Sequence, residues 1–235
     1  WIIFTLLRTI FHQPWSDEAT AWEFARDFEW GSILESLKYE GHFFVWYLIL
    51  LPFAKLNLGY PYSMLMLNWA FCFGAILLLW KYAKFNNFIK VAIIFSFPFL
   101  AYYPVVARCY SIGILLLFLL CAMYKDRLKH PIVYASIVFV CANTSLMACI
   151  GALIFGAVLL FDLFKLKQKK DLKICLSIAF LCIITLLVQV LNVKMSGVPE
   201  NKIHGITKEI LLNPFVYFTP VVNAILLTFF TIGFT

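Results

Sequence analysis

Long apolar runs separated by short polar loops make up most of the chain. They cover about residues 43–58, 60–80, 89–103, 108–124, 131–164 and 174–193, and a further run begins at Pro214. Because a helix needs roughly 20 apolar residues to cross a bilayer, the pattern predicts an all-α fold, a polytopic transmembrane helical bundle. We expect residues 1–235 to form a single membrane module.

The two ends of the chain interrupt this pattern. The chain begins at Trp1, and only eleven apolar-leaning residues precede its first polar loop. That is about half of what a crossing helix needs. The sequence also stops within the apolar run that begins at Pro214. We therefore expect a fragment of a longer protein, without most of its first membrane helix.

The polar positions are most concentrated from His12 to Trp46, a stretch with seven of the 12 Asp and Glu residues. Ser16 is a good N-cap, so Asp17 and Glu18 are expected in the first turn of a helix. Apolar residues then recur at helical spacing on one side of that helix. They are Ala21, Phe24, Ala25 and Phe28. The pattern predicts a short amphipathic helix that carries an acidic pair at its start.

A second short helix is predicted after Gly31, because Ser32 and Glu35 have the spacing of a capping box. Both helices are too short and too charged to span a bilayer. We therefore expect an external acidic loop over residues 12–42, with two interfacial helices lying flat and their apolar sides towards the lipid. Aromatic rings collect at headgroup depth. The rings expected there are Trp15, Trp22, Trp30, Tyr39, Trp46 and Tyr47.

Lysine and arginine cluster in three short loops between the apolar runs. These are Lys81, Lys84 and Lys90, then Lys125, Arg127 and Lys129, then Lys165, Lys167, Lys169, Lys170 and Lys173. The positive-inside rule places such loops in the cytoplasm and the acidic loop outside. The net charge of +7 thus reflects membrane topology, and we expect a lipid bilayer and no nucleic acid as partner.

This topology predicts how each run lies. Residues 43–58 are short and contain Pro52, so we expect them not to cross fully. Residues 60–80 then cross inward, 89–103 outward and 108–124 inward, while 131–164 form a hairpin with its tip at residues 143–145 outside. The acidic loop, the turn from Tyr102 to Tyr110 and the hairpin tip would meet on one face. We expect a multi-pass protein of the inner (plasma) membrane with an extracytoplasmic active face.

The seven cysteines lie within or at the edges of apolar segments, and none forms a CxxC pair. We expect buried free thiols, because cysteine packs as a small hydrophobe. The chain has no glycine-rich phosphate loop and no nucleotide-binding fingerprint, so a nucleotide-bound donor is disfavoured.

An aromatic residue followed by Asp17-Glu18-Ala19, an amphipathic helix and then Glu40-Gly41-His42 resembles the dolichyl-phosphate-mannose protein mannosyltransferase family. The resemblance is greatest to its bacterial branch, which includes lipid A aminoarabinose transferases. Ala107-Arg108-Cys109-Tyr110-Ser111 is similar to a turn recurrent in that branch, and the match covers about residues 12–124. The chain departs from the family at Phe43 and Phe44, where prolines are common.

The resemblance implies a type C glycosyltransferase fold, a bundle of membrane helices with an outward-facing active site. It implies an enzyme that takes a sugar from a polyprenyl-phosphate donor and passes it to a cell-envelope acceptor. The acceptor stays open as an envelope glycan, lipid or protein. Direct displacement at the anomeric carbon would invert its configuration, and a phosphodiester leaves without a strong general acid.

The resemblance and the chemistry together select candidate site residues. Asp17 is the expected general base, with Glu18 as the second choice; the alternative is that both only complement a helix dipole. Arg108 is expected to hold the phosphate, or else to be an interfacial anchor. Further substrate-binding candidates are Lys202 and His204 in the last external loop, Tyr102, Tyr103 and Tyr110 for stacking on a sugar, and His42 for orienting the acceptor.

A metal site at Asp17, Glu18 and His42 is a weaker alternative, because the three lack a recognised ligand spacing. We expect no cofactor. Two other classes of protein fit the hydropathy, a transporter or lipid flippase and a non-catalytic membrane subunit. A transporter would place ionisable residues deep in its spans, and here Asp162 lies close to the cytoplasmic end of its run.

Overall fold

A computed structural model of the protein describes residues 1–29 and 43–195, with side chains up to Leu191. Every regular element in these two ranges is helical. The elements are α1 (Ile2–Ile10), α2 (Ser16–Arg26), α3 (Val45–Lys55), α4 (Tyr62–Tyr82), α5 (Asn87–Ile94), a π-helical turn (Pro98–Tyr102), α6 (Cys109–Met123), a 3₁₀ turn (Tyr124–Asp126), α7 (Pro131–Ala142), α8 (Leu146–Lys165) and α9 (Lys169–Met195).

Four helices in the described ranges are long and apolar enough to cross a bilayer. They are Tyr62–Tyr82, Cys109–Asp126, Leu146–Lys165 and Lys169–Leu191, with mean hydropathies from 1.6 to 2.8. This confirms the prediction of an all-α membrane protein. Helix α3 has 11 residues and contains Pro52, so it is too short to span, as expected for the 43–58 run.

Helices α4 and α6 run parallel to each other. Near their starts, the Asn68 Nδ2 donates to the carbonyl of Tyr103 at 2.8 Å. In the middle, a Cβ built on Gly74 would lie 3.2 Å from a Leu115 methyl group. Lys84, just beyond the end of α4, lies close to Lys125, just beyond the end of α6. The hydrogen bond between them and the charge of Lys125 lower the pKa of Lys84. Residues 83–108 must therefore return across the thickness of the bundle.

This return corresponds to the outward crossing predicted for residues 89–103, but it is not one helix. Helix α5 ends at Ile94, and after a bend at Ser96 a π-helical turn begins at Pro98. Proline has no backbone N–H and disrupts the preceding helical turn, so the chain breaks at this position. The outward crossing is thus made by two shorter helical segments.

The 131–164 run forms the predicted helical hairpin, α7 and α8. Its tip, residues 143–145, is buried, and Ser145 caps α8 by accepting from the Ala148 N–H at 3.3 Å. The tip packs closely on α6, because a Cβ built on Gly113 would lie 3.1 Å from that of Ala148. The Asn143 carbonyl also accepts from the Val45 N–H at 3.3 Å. The hairpin tip thus lies beside the starts of α3 and α6.

The three lysine-rich turns lie together at the other end of the bundle. Arg127, after α6, pairs with Asp162 of α8 at 2.5 Å, and the α8–α9 turn follows at residues 166–168. We call this the basic end, and the end at the start of α6 the acidic end. All seven cysteines are free and buried, as predicted.

Helix α2 packs on protein, which corrects the prediction that its apolar side faces lipid. The Phe24 and Tyr47 rings lie 4.8 Å apart, and Trp22 lies 5.4 Å from Tyr60. Trp22, Trp46 and Tyr47 are 4%, 2% and 3% exposed, so these rings face protein and not lipid headgroups. The apolar sides of α2 and α3 thus pack against each other. Trp15, by contrast, is exposed.

Candidate active site at the acidic end

The acidic pair lies in the first turn of α2, as predicted, but its cap differs. The N-cap is Trp15, one residue before the expected Ser16. The Glu18 Oε2 accepts from the Trp15 backbone N–H at 2.8 Å, which is half of a capping box. The glutamate side chain thus fixes the start of the helix, a task that the sequence reading gave to the serine hydroxyl.

Glu18 is fully buried and accepts two further hydrogen bonds. The His12 Nε2 lies 2.8 Å from its Oε2, and the Ala107 backbone N–H donates to Oε1 at 2.5 Å. A buried carboxylate is costly unless it is hydrogen-bonded, and here both oxygens are engaged. Glu18 therefore joins the end of α1, the start of α2 and the segment that enters α6.

Asp17 forms an ion pair with Arg108, 91 positions further along the chain, through Oδ2 and Nη1. The carboxylate is 61% exposed, whereas the Arg108 side chain is only 15% exposed. Burial lowers the pKa of Arg108, but Tyr110 and the hydrogen bond to Asp17 together raise it more, so its pKa lies above the ordinary value. A largely buried, permanently charged guanidinium thus lies beside an accessible carboxylate.

Glu18 and Arg108 are linked through the backbone. Arg108 directly follows Ala107, whose N–H Glu18 holds. Arg108 is also the N-cap of α6, with an extended backbone. The buried glutamate therefore fixes the chain from which the guanidinium reaches Asp17. From the sequence, Asp17 and Glu18 are both candidates for the general base. In the structure, Asp17 is an exposed partner of Arg108, whereas Glu18 is a buried side chain that holds the backbone.

The three candidate tyrosines lie close together next to Arg108. The ring centroid of Tyr102 is 5.8 Å from Tyr110 and 5.6 Å from Tyr103. The Tyr103 ring packs 5.4 Å from Phe99 and belongs to the main core. Its carbonyl accepts from the Ser111 hydroxyl at 2.6 Å. Tyr102 and Tyr110 thus form a ring pair next to Arg108, in which Tyr110 also packs against apolar residues of α2, α3 and α4, whereas Tyr103 packs against the main core.

Sequence reading did not assign two neighbours of the acidic pair to the site. His12 was interpreted as an end-of-helix residue, yet its ring contacts Glu18. Tyr60 lies near α2, and burial followed by the charges of Glu18 and Glu23 raises the pKa of its phenol. The His12 contact spans only six residues but lies in an irregular loop without a periodic pattern, and the Tyr60 loop reaches α2 only through the tertiary fold.

Three predicted site residues lie outside the described residues, namely His42, Lys202 and His204. The second interfacial helix predicted after Gly31 lies outside them as well. Within residues 1–29 and 43–195, no group of three His, Cys, Asp or Glu side chains is placed to hold a metal ion. The alternative metal set includes His42, so that result does not address it.

Comparison with known proteins adds no relative to these observations. No protein-family model, no curated protein and no solved structure matches the chain. The resemblance described above therefore rests on the residues that carry it.

The arrangement can perform two chemical tasks. The exposed Asp17 carboxylate can accept a proton from a group that approaches from solvent. The Arg108 guanidinium can hold an anion, since among the described residues its only side-chain hydrogen bond goes to Asp17 through Nη1. Two aromatic rings stand beside it. Base, cation and rings thus converge at one surface of the acidic end.

Proposed function

We propose that the protein is an integral membrane glycosyltransferase of the type C kind, which moves a sugar from a polyprenyl-phosphate donor to a hydroxyl of a cell-envelope acceptor. The observation that carries this proposal is the pairing of Asp17 with Arg108. The resemblance implied both residues for this chemistry, and they are in contact although 91 positions separate them.

The reaction assigns a role to each group. Asp17 accepts the proton of the acceptor hydroxyl while the oxygen of that hydroxyl attacks the anomeric carbon. The bond from that carbon to the phosphate oxygen breaks at the same time, and the electron pair leaves with the polyprenyl phosphate. Arg108 stabilises the charge on the departing phosphate, and attack opposite the leaving group inverts the anomeric centre. Tyr102 and Tyr110 provide stacking surfaces for the sugar.

Glu18 supports this site without being the base. Its two oxygens accept from His12, Trp15 and Ala107, so no lone pair is presented to an acceptor that approaches from solvent. Its role is to hold Asp17 and Arg108 at a fixed separation. The structure of the described residues thus favours Asp17 over Glu18 as the proton acceptor.

The membrane setting fits a lipid-linked donor. Four long apolar helices place the chain in a bilayer, and the ion pair lies at the end opposite the lysine-rich turns. By the positive-inside rule the basic end is cytoplasmic, so we place the site on the extracytoplasmic face of the plasma membrane. A donor held in the outer leaflet then presents its phosphate at the depth of Arg108.

The transporter alternative has less support from the described spans. Asp162 of α8 lies about one turn from the end of its helix and is paired with Arg127 at 2.5 Å. Transport pathways place ionisable groups near the midplane, whereas this pair joins two elements at the basic end. Its geometry fits a structural contact.

The proposal is tested with membranes that carry the full-length protein and a radiolabelled polyprenyl-phosphate sugar. We expect label to pass to an envelope acceptor with the unaltered protein and not with Asp17→Asn at equal protein levels. Asp27→Asn is the matched control, because Asp27 caps the other end of α2 and pairs only with Arg26 among the described residues. Transfer that survives Asp17→Asn, or solute uptake without transfer, would contradict the proposal.

A further inference from the structure

An apolar cavity of about 190 Å³ lies between α7, α8 and α9, away from the candidate active site. Each of the three helices contributes to its wall. The lining includes Ala135 and Val138 of α7, Leu153 and Ala157 of α8, and Cys175 and Ile183 of α9. Within the described residues no side chain fills it. Protein interiors are normally close-packed, so a cavity of this size between three helices suggests a ligand.

The cavity opens towards the surrounding bilayer. Its inner wall is formed by buried residues, since Leu159, Cys175 and Cys182 are 1%, 1% and 3% exposed. At its edge Leu153 of α8 is 42% exposed and Ile183 of α9 is 50% exposed. The mouth thus lies between α8 and α9, two of the helices long and apolar enough to span a bilayer, so an apolar chain within a bilayer could enter it without crossing water.

The depth of the cavity matches the acyl chains of one leaflet. On α8 its lining runs from Leu160 to Leu153, which lies ~9 to ~20 Å from the α8–α9 turn at the helical rise of 1.5 Å per residue. On α9 it runs from Cys175 to Ile183, at similar distances from that turn. The hydrocarbon core is roughly 30 Å thick. The cavity therefore reaches from below the headgroups of the leaflet at the basic end to about the midplane.

Positive charge is concentrated above the cavity. Residues 165–173 contain five lysines and one aspartate, Asp171. Lys169 and Lys173 line a shallow hollow on α9 together with Leu172, Leu176, Ser177 and Phe180. Lys169 and Lys173 are one turn apart on α9, at the level along the helix just before the cavity lining begins at Cys175. A lipid whose chain fills the cavity would thus have its headgroup beside lysine side chains.

We propose that this cavity binds an acyl chain of an anionic phospholipid, whose headgroup phosphate contacts Lys169 and Lys173 at the α8–α9 turn. The apolar wall selects a hydrocarbon chain, and the lysines select a negative headgroup. This site is independent of the proposed function, because Arg108 lies at the opposite end of α6. The 18 residues from Cys109 to Asp126 correspond to ~27 Å.

The test uses purified, delipidated full-length protein, titrated with phosphatidylglycerol or phosphatidylcholine and followed by native mass spectrometry. We expect saturable binding of phosphatidylglycerol and much weaker binding of phosphatidylcholine. The double variant Lys169→Gln/Lys173→Gln should bind phosphatidylglycerol roughly 30-fold more weakly, because each lysine near a membrane surface contributes about a factor of five. Both substitutions are on the surface, so folding is preserved.

Two further variants complete the test. Ala179→Phe places a ring in the cavity and should abolish the saturable binding with the lysines intact. Lys81→Gln/Lys84→Gln removes two lysines at the same end but away from the cavity, and should leave binding within about twofold. Any of three results overturns the proposal. They are equal binding of the two lipids, the same loss of binding in Lys81→Gln/Lys84→Gln as in Lys169→Gln/Lys173→Gln, and unchanged binding in Ala179→Phe. Displacement by polyprenyl phosphate would assign the cavity to the donor and overturns it too.

Discussion

At the residue scale, two adjacent carboxylates have opposite environments. Asp17 is mostly exposed and has one cationic partner, whereas Glu18 is fully buried and accepts three hydrogen bonds. The sequence identified both residues as site candidates but did not predict that one would be exposed and the other buried. Both residues lie in the same helical turn, and the contacts of Glu18 with His12, Trp15 and Ala107 decide which of the two side chains is enclosed.

Glu18→Gln should therefore destabilise the protein while Asp17→Asn should not. Glutamine removes the negative charge and turns an NH₂ group towards one of the three donors. We expect a loss of about 2–4 kcal/mol for Glu18→Gln and less than about 1 kcal/mol for Asp17→Asn, because the Asp17 carboxylate is 61% exposed although its Arg108 partner is not. Thermal unfolding in detergent, followed by tryptophan fluorescence, measures both. Equal melting temperatures would contradict the positioning role of Glu18.

Arg108 provides a second prediction at this scale. Lysine preserves the charge but loses the planar fork that binds a phosphate through two donors. In the transfer assay we expect Arg108→Lys to retain part of the activity with a raised KM for the donor. Arg108→Gln should lose roughly 100-fold or more in kcat/KM. If the glutamine variant transfers sugar normally, the guanidinium does not hold the phosphate.

At the element scale, the hydropathy pattern predicted most of the helices and the hairpin. It did not predict that the 89–103 run breaks before Pro98, nor that α2 packs on α3. The break follows from Pro98, to which a hydropathy pattern is insensitive, and the chain beyond it is held by contacts with α1 and α4. Thr9 of α1 donates to the Pro104 carbonyl at 3.2 Å, and Asn68 donates to the same carbonyl at 3.3 Å. Hydrogen bonds to carbonyls from residues far apart in sequence leave no periodic signal.

The contact of the hairpin tip with α6 leads to a third prediction. A Cβ on Gly113 would meet Ala148 Cβ at 3.1 Å and Thr144 Oγ1 at 3.2 Å, short side chains that cannot move away. We expect Gly113→Ala to cost about 1–3 kcal/mol from overpacking, despite the better helix propensity of alanine. Gly74→Ala is the control, since its nearest neighbour is a flexible methyl group of Leu115. Its melting temperature should be unchanged or higher, and the reverse order would contradict the packing.

At the scale of the whole molecule, the charges are sorted between two ends. The lysine-rich turns share the basic end through the Arg127–Asp162 pair, and the Asp17–Arg108 pair lies at the acidic end. The sequence predicted this sorting, because the alternation of runs and basic loops is a direct record of topology. The sequence could not predict the contact of Asp17 with Arg108. That contact forms only when α1, α2 and the residues just before α6 are packed together in the folded protein.

Cysteine accessibility tests the orientation. Asn87→Cys lies exposed at the start of α5, at the basic end, and Glu23→Cys on the exposed side of α2, while the seven native cysteines are buried. A membrane-impermeant maleimide added to intact cells should label Glu23→Cys and not Asn87→Cys. Permeabilised cells should label both. The opposite pattern in intact cells would place the acidic end in the cytoplasm.

The most direct test of the central claim is the transfer rate of Asp17→Asn relative to Asp27→Asn, at saturating labelled polyprenyl-phosphate sugar and equal protein levels. A positioned general base accelerates such a step by about 100-fold to 10,000-fold. We predict that Asp17→Asn falls by at least about 100-fold while Asp27→Asn retains the unaltered rate. Equal rates in the two variants would contradict the assignment of Asp17 as the base.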